Sequence, residues 1–222
     1  MNYLQQKKQA MISMHQGSIP SGYKQVEYLQ SSRTGKLHGQ YIDTNILSQG
    51  KLGIEIKAQV IKTYENICIW LGGENSWATG TSFVIQAGNG GYGFVYFNSR
   101  EPCTPNMNYK IINNQIYTLK IRNGNVELIN NNSNTISNYS YIVKDFISNS
   151  NIYLFGICRN KSLVRLDDVR IYRCKMYIDD LLVRDFIPCL DNNNRPCMYD
   201  TVSKKAYYNQ GTGEFLYGEV IN

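Results

Sequence analysis

From Leu52 to Val60 apolar and polar side chains alternate without a break, with Leu52, Ile54, Ile56, Ala58 and Val60 set against Gly53, Glu55, Lys57 and Gln59. A period of two belongs to a strand with one face in a core and the other in water. Tyr117, Leu119 and Ile121 repeat the pattern, Asn123-Gly124 follows, and Val126 and Leu128 return. That arrangement predicts a hairpin, because Asn-Gly suits the tight turn that joins two twisted strands. Apolar runs at Ile67–Leu71, Ser82–Gln86, Gly93–Phe97, Ile152–Ile157, Val169–Tyr177 and Leu181–Ile187 complete an antiparallel set, with Asp179-Asp180 turning the last pair. The polar stretch Asn130 to Asn138 reads as a surface loop.

Only at the start of the chain does the spacing become helical. Tyr3, Leu4, Ala10, Met11 and Met14 fall in one sector of a short helix over Tyr3 to Met14, which Gly17 and Pro20 end. Lys7 interrupts the stripe, and a helix this short needs a surface to lie on. Two readings stand side by side: the helix packs on its own domain, or Tyr3, Leu4, Met11 and Met14 anchor it in a neighbouring subunit. The expected organisation is a helix and linker over residues 1–20, followed by one sandwich domain over 21–222.

Composition supports a β fold, since 18 tyrosines suit pleated, half-buried surfaces. The net charge of +6 would attract anionic partners. Lys and Arg are scattered, however, with no recognition helix or RNA-binding motif, so nucleic acid is not an expected partner. No stretch is long and apolar enough to cross a bilayer, and Met1 to Gly17 lack the apolar centre of a secretory signal. Folding in a reducing cytoplasm is the resulting expectation, with cysteines serving as small buried hydrophobes and Cys189 with Cys197 as the pair to test for a bridge. Six cysteines without a C-x-x-C pair, and His15 and His38 as the only histidines, argue against zinc.

Two blocks carry more than generic strand pattern. The first is Gly22-Tyr23, Val26-Glu27-Tyr28-Leu29-Gln30-Ser31-Ser32 and Gln40-Tyr41-Ile42-Asp43-Thr44. The second is Arg170-Ile171-Tyr172, Leu182-Val183-Arg184-Asp185-Phe186-Ile187-Pro188, Met198-Tyr199-Asp200 and Asn209-Gln210-Gly211-Thr212-Gly213-Glu214-Phe215. Together they resemble the LamG-like, concanavalin A-like jelly-roll modules of phage structural proteins and Firmicutes surface proteins, over about Ser21 to Gly218. The resemblance implies an all-β fold of two curved antiparallel sheets, the concave one often carrying ligands. It also implies a virion protein assembled in the host cytoplasm, with capsid or tail proteins as partners through the N-terminal segment; a purely architectural capsid decoration or scaffold protein without glycan binding, and a bacterial cell-surface adhesin module, are the alternative readings. A host-surface glycan and further copies of the chain complete the expected partners. Arg33 to Gly39 departs from the family pattern as a longer link, read as specific to this protein. Tyr41, Asp43, Arg184 and Asp185 are expected to fix strand ends, and Gly211 and Gly213 to supply positive-φ turns.

Catalytic chemistry finds little to work with. Glycosidases of this architecture place carboxylates at alternate positions of one strand, whereas Glu55 and Glu127 stand alone and Asp167-Asp168 and Asp179-Asp180 are adjacent. His15 in the helix and His38 in the variable link leave no base for a nucleophilic triad, so no enzyme activity and no cofactor are expected. Gly88-Asn89-Gly90-Gly91-Tyr92-Gly93 lacks the Lys-Ser/Thr of a phosphate loop and reads as a turn. Asp191 to Asn194 is a polar turn with too few carboxylates for calcium. The candidate glycan site is Trp77 with Glu74 and Asn75 beside it and Tyr92, Tyr96 and Asn98 extending it, since aromatic faces stack on sugar rings while amides and carboxylates meet hydroxyls. The alternative is that Trp77 caps the core; Trp70, on an apolar strand, is read as core.

Overall fold

The computed structural model describes residues 19–63, 68–75, 82–88, 92–97 and 111–221, with backbone alone at 87–88 and 92–97. The expected helix over Tyr3 to Met14 lies outside these residues. In chain order the strands are β1 (Lys24–Gln25), β2 (Leu29–Gln30), β3 (Ile42–Gln49), β4 (Leu52–Lys62), β5 (Cys68–Glu74), β6 (Ser82–Gly88), β7 (Tyr92–Phe97), β8 (Ile116–Arg122) and β9 (Asn125–Asn130). They continue as β10 (Thr135–Ser140), β11 (Ile147–Leu154), β12 (Gly156–Arg159), β13 (Ser162–Leu166), β14 (Asp168–Ile178), β15 (Leu181–Leu190), β16 (Pro196–Asp200), β17 (Lys205–Tyr208) and β18 (Leu216–Tyr217). The architecture is an all-β sandwich of two sheets.

The larger sheet runs β10-β9-β8-β4-β14-β15-β16-β17, with β1 on β15 and β2 between β14 and β18. The smaller contains β13, β12, β5, β11 and β3, with β6 and β7 added beyond β5. All pairs are antiparallel except β12 on β5. Register explains why the alternation in β4 matters. Met176, Ile54 and Ile121 align across β14, β4 and β8, as do Cys174, Ile56 and Leu119, and then Ile171, Ala58 and Tyr117. These rows are all buried, and Trp70, Phe83, Ile85, Ile152 and Leu154 of the smaller sheet close over them in one core. Each large aliphatic buried here contributes about 1.5–3 kcal/mol relative to exposure.

Polar motif residues tie the frame together. The Asp185 carboxylate, nearly inaccessible, accepts Arg173 Nε at 2.8 Å and an Arg173 terminal nitrogen at 2.7 Å, and the Asp185 N–H donates to Asp200 Oδ1 at 2.8 Å. Arg184 lies 3.6 Å from Asp200 and donates to the Thr44 carbonyl of the opposite sheet at 3.2 Å. Asp43 accepts the Asn45 N–H at 2.8 Å and Asn151 Nδ2 at 3.1 Å, while Tyr41 stacks on Tyr153. Cys189 and Cys197 stand opposite one another across β15 and β16 as free, buried thiols. Burial pushes both thiols up to about 12.

Three sequence expectations are corrected. The loop expected over Asn130 to Asn138 is a turn only through Asn134, after which Thr135–Ser140 pairs residue for residue with β9. An edge strand with both faces largely wet carries no apolar alternation, so its pattern imitates a loop. The single run expected over Ile152–Ile157 is broken at Phe155, which sits at φ 68° with its ring buried and its N–H on the Trp70 carbonyl at 2.8 Å. Gly213 has the expected positive φ, but Gly211 is required by space, since a Cβ there would lie 2.0 Å from the Gly39 carbonyl oxygen.

Ile56→Ala is expected to lower the unfolding free energy by about 2–5 kcal/mol in urea titrations. Lys57→Ala, one residue along on the wet face, should change it by about 0.5 kcal/mol or less.

Candidate functional site

Phe83 and Ile85 enter the main core, so the pleat turns Val84 and Gln86 to the other face of the smaller sheet. There Val84 meets Ile69 of β5 and Ile157 of β12 in a second, separate apolar cluster, with Val164 of β13 against it. Two residues beyond Ile157 on the same face, Arg159 lies beside Glu74 of β5.

This outer face carries a cleft of about 570 Å3, within the range of small-ligand sites. Ile157, Leu163 and Val164 form its apolar lining together with Leu37, and Gln86 adds one amide. Lys36, Arg159 and Arg165 bring positive charge, and among the described residues none of the lining is acidic. Lys36 and Leu37 come from the Arg33 to Gly39 link, a tight hairpin in which the Thr34 N–H donates to the His38 carbonyl and the His38 N–H to that of Gly35. Both tip residues are exposed.

Buried carboxylates fix the two arginines from behind. Asp167, with no accessible side-chain surface, accepts Arg165 Nε at 2.9 Å, an Arg33 terminal nitrogen at 3.0 Å and the Ile69 N–H at 2.9 Å. Arg33 is held in turn by its own N–H on Asp168. At the other end Glu74, likewise inaccessible, accepts Arg159 at 2.6 Å and 2.7 Å through Oε1. Its second oxygen, Oε2, is buried with no hydrogen-bond partner among the described residues. Burial raises the carboxyl pKa of both Glu74 and Asp167, opposed by Arg159 and Arg165 respectively. Arg159 keeps 39% of its side chain exposed against 12% for Arg165, so Arg159 is the guanidinium better able to reach a ligand.

The residues expected to bind glycan distribute unevenly over this face. Glu74 is there, but it is inaccessible, and Arg159 holds its Oε1 in the place a sugar hydroxyl was expected to take. Asn75 is half-buried and its Oδ1 accepts the Asn149 N–H at 2.6 Å, tying the end of β5 to β11. Positions 92 and 96 pair with Gly88 and Val84 in the β6–β7 ladder, which sets β7 alongside the cleft-bearing strands. Trp77 and Asn98 lie outside the described residues, as do Tyr3, Leu4, Met11 and Met14 of the expected anchor. Trp70 is core, as read, and packs against Tyr117. Sequence reasoning missed Lys36, Arg159 and Arg165 as a group; the length of the 33–39 link was the signal that pointed toward one of them. The Asp191 turn is closed on itself: Oδ1 accepts the N–H groups of Asn193 and Arg195, and Oδ2 the Tyr208 hydroxyl. No family model matches the chain, and no curated protein matches it.

A raised Glu74 pKa means that the folded state holds the proton more tightly than the unfolded chain. Its contribution therefore favours folding at low pH and weakens as pH rises from the ordinary glutamate range through the raised value. Glu74→Gln removes that titration. Urea unfolding between about pH 4 and about pH 7 should show the variant gaining on the parent as pH rises; a pH-independent difference would contradict the assignment.

Proposed function

We propose that this chain is a non-enzymatic binding module, a LamG-like jelly roll carried on a phage capsid or tail through its N-terminal segment, and that its cleft takes an acidic saccharide of the host surface. The observation that carries the reading is the pairing of an apolar lining with a cationic rim in one cleft of ligand size. A sugar ring presents apolar C–H faces, which suit Ile157, Leu163 and Leu37, and hydroxyls, which suit the Gln86 amide. A carboxylate on that sugar suits a guanidinium held in fixed orientation, because planar two-point hydrogen bonding is what Arg offers and Lys does not. Lys36 on the tip of the 33–39 hairpin adds a mobile point charge that aids encounter.

Binding without turnover is favoured by the chemistry of the lining, where the described residues include no Asp, Glu, His, Cys or Ser to act as acid, base or nucleophile. The carboxylates that hold the cleft arginines, Glu74 and Asp167, are themselves buried. Placement on a virion is supported by the motif resemblance over about Ser21 to Gly218.

Titration calorimetry with oligogalacturonides and with sialylated oligosaccharides, each alongside its uncharged methyl ester, tests the cleft. An acidic member should bind, its ester at least about tenfold more weakly, and Arg159→Ala and Lys36→Ala should each weaken the acid by about 1–2 kcal/mol without altering circular dichroism. The oligosaccharide should be recovered uncleaved. Equal affinity for acid and ester, or indifference to Arg159→Ala, would overturn the reading, and absence of the protein from purified particles of the phage encoding it would overturn the virion placement.

A further inference from the structure

We propose that Thr212, which lies outside the cleft, is a positioning residue for it: from the loop after β17 it clasps Gly39 at the foot of the 33–39 hairpin and so fixes Lys36 and Leu37 at the hairpin tip, where the saccharide meets them. The inference rests on the saccharide reading of the cleft. Inside the hairpin the Thr34 and His38 N–H groups close the turn, and both tip residues are exposed. An exposed tip loses backbone freedom when a ligand orders it, and affinity falls by that cost unless the feet of the hairpin already hold it in place.

Both feet are held. At the entering foot the Ser31 N–H donates to the Val169 carbonyl at 3.0 Å and the Val169 N–H to Ser31 Oγ at 3.2 Å, after which Arg33 meets Asp167 and Asp168. The grip on the leaving foot comes from 173 residues further along the chain. There the Gly39 N–H donates to Thr212 Oγ1 at 3.0 Å, and the Thr212 N–H donates to the Gly39 carbonyl at 2.8 Å. Gln40, nearly inaccessible, joins the two feet: its Nε2 donates to the Thr212 carbonyl at 2.7 Å and its Oε1 accepts the Ser32 N–H at 2.7 Å.

The loop that supplies Thr212 is itself fixed. Asn209 Oδ1 accepts the N–H groups of Tyr41 and Gly211, its Nδ2 donates to the Gly213 carbonyl, and the Gln210 N–H donates to the Tyr41 carbonyl. Phe215 then enters the core against Phe155. The backbones meet closely on both sides of the foot, since a Cβ on Gly211 would reach the Gly39 carbonyl oxygen and a Cβ on Gly39 would lie 2.9 Å from that of Ser32.

Within the clasp the Thr212 hydroxyl is the contact that can be removed cleanly. Gly39 is buried, so losing Oγ1 strands its N–H away from water, and the foot regains a partner only by opening. Asp167 holds the entering foot as well, but it also orients Arg165 and accepts the Ile69 N–H, so replacing it disturbs a cleft guanidinium directly. Thr212 is absent from the described lining of the cleft.

Hydrogen exchange of the full chain without ligand should be faster over 34–39 in Thr212→Val, which keeps the shape and loses the acceptor, and parent-like in Thr212→Ser, which keeps it. In calorimetry with the acidic oligosaccharides, Thr212→Val should weaken binding about five- to tenfold and Thr212→Ser less than about twofold. Lys36→Ala should lose most of its effect once Thr212→Val is present, because both act through one tip, whereas a general loss of stability leaves the two effects additive. If Thr212→Val is misfolded by circular dichroism, Thr212→Ala and the exchange rate of the parent's Gly39 amide decide, with a fast-exchanging Gly39 counting against the clasp. Unchanged exchange over 34–39 in Thr212→Val, no restoration by Thr212→Ser, or full additivity with Lys36→Ala would overturn the proposal. Failure of the parent to bind any acidic oligosaccharide would instead overturn the reading beneath it, and the exchange measurement separates the two failures because it uses no ligand.

Discussion

Away from its bulges, each strand of this molecule can give its shared interior only every second residue, and most of the structure follows from that limit. Ile54, Ile56 and Ala58 of β4 align with partners on β8 and β14 to form one wall, and Trp70, Phe83, Ile85 and Ile152 form the other. Once Phe83 and Ile85 are committed inward, Val84 and Gln86 must face outward, and so must the strand neighbours that pack on them. The cleft on the smaller sheet is therefore set by the packing of the core behind it. A one-residue slip of β6 would send Val84 inward and carry Phe83 to the surface, which makes the register of that strand both a stability matter and a binding matter.

The same economy governs the charged groups. Asp167 and Glu74 are costly to bury, as their raised pKa values indicate, and each is balanced by arginine hydrogen bonds. Their positions behind the sheet surface turn flexible arginine side chains into oriented donors at the cleft. Asp185 and Asp200 do comparable work on the larger sheet, but there the bonds run to Arg173, Arg184 and backbone N–H groups and close the frame without opening a cleft. Similar chemistry thus serves structure in one sheet and a candidate site in the other, and the difference is whether an apolar outer cluster and a projecting link lie next to it.

Much of the sandwich was legible in the sequence. The alternation of Leu52 to Val60 and the Asn123-Gly124 turn are local signals, and both are present, the turn with positive φ at each residue. What escaped detection depends on neighbours. Thr135–Ser140 has no apolar rhythm because neither of its faces is deeply buried, and Phe155 breaks its strand because of a hydrogen bond to Trp70, which sequence spacing does not reveal. The site was legible only in part. Glu74 falls on the expected face, but its partner Arg159 is 85 residues away in the chain. Arg165 and Lys36 likewise come together with it only through the arrangement of β12, β13 and the 33–39 link.

The proposed function requires an acidic saccharide to bind on the outer face of the smaller sheet. Hydrogen exchange of the full chain with and without a saturating carboxylated oligosaccharide locates the contact directly, whatever its affinity. The expected result is slowed exchange confined to 33–39, β6, β12 and β13. Slowed exchange on the larger sheet alone, with those segments unchanged, would contradict it.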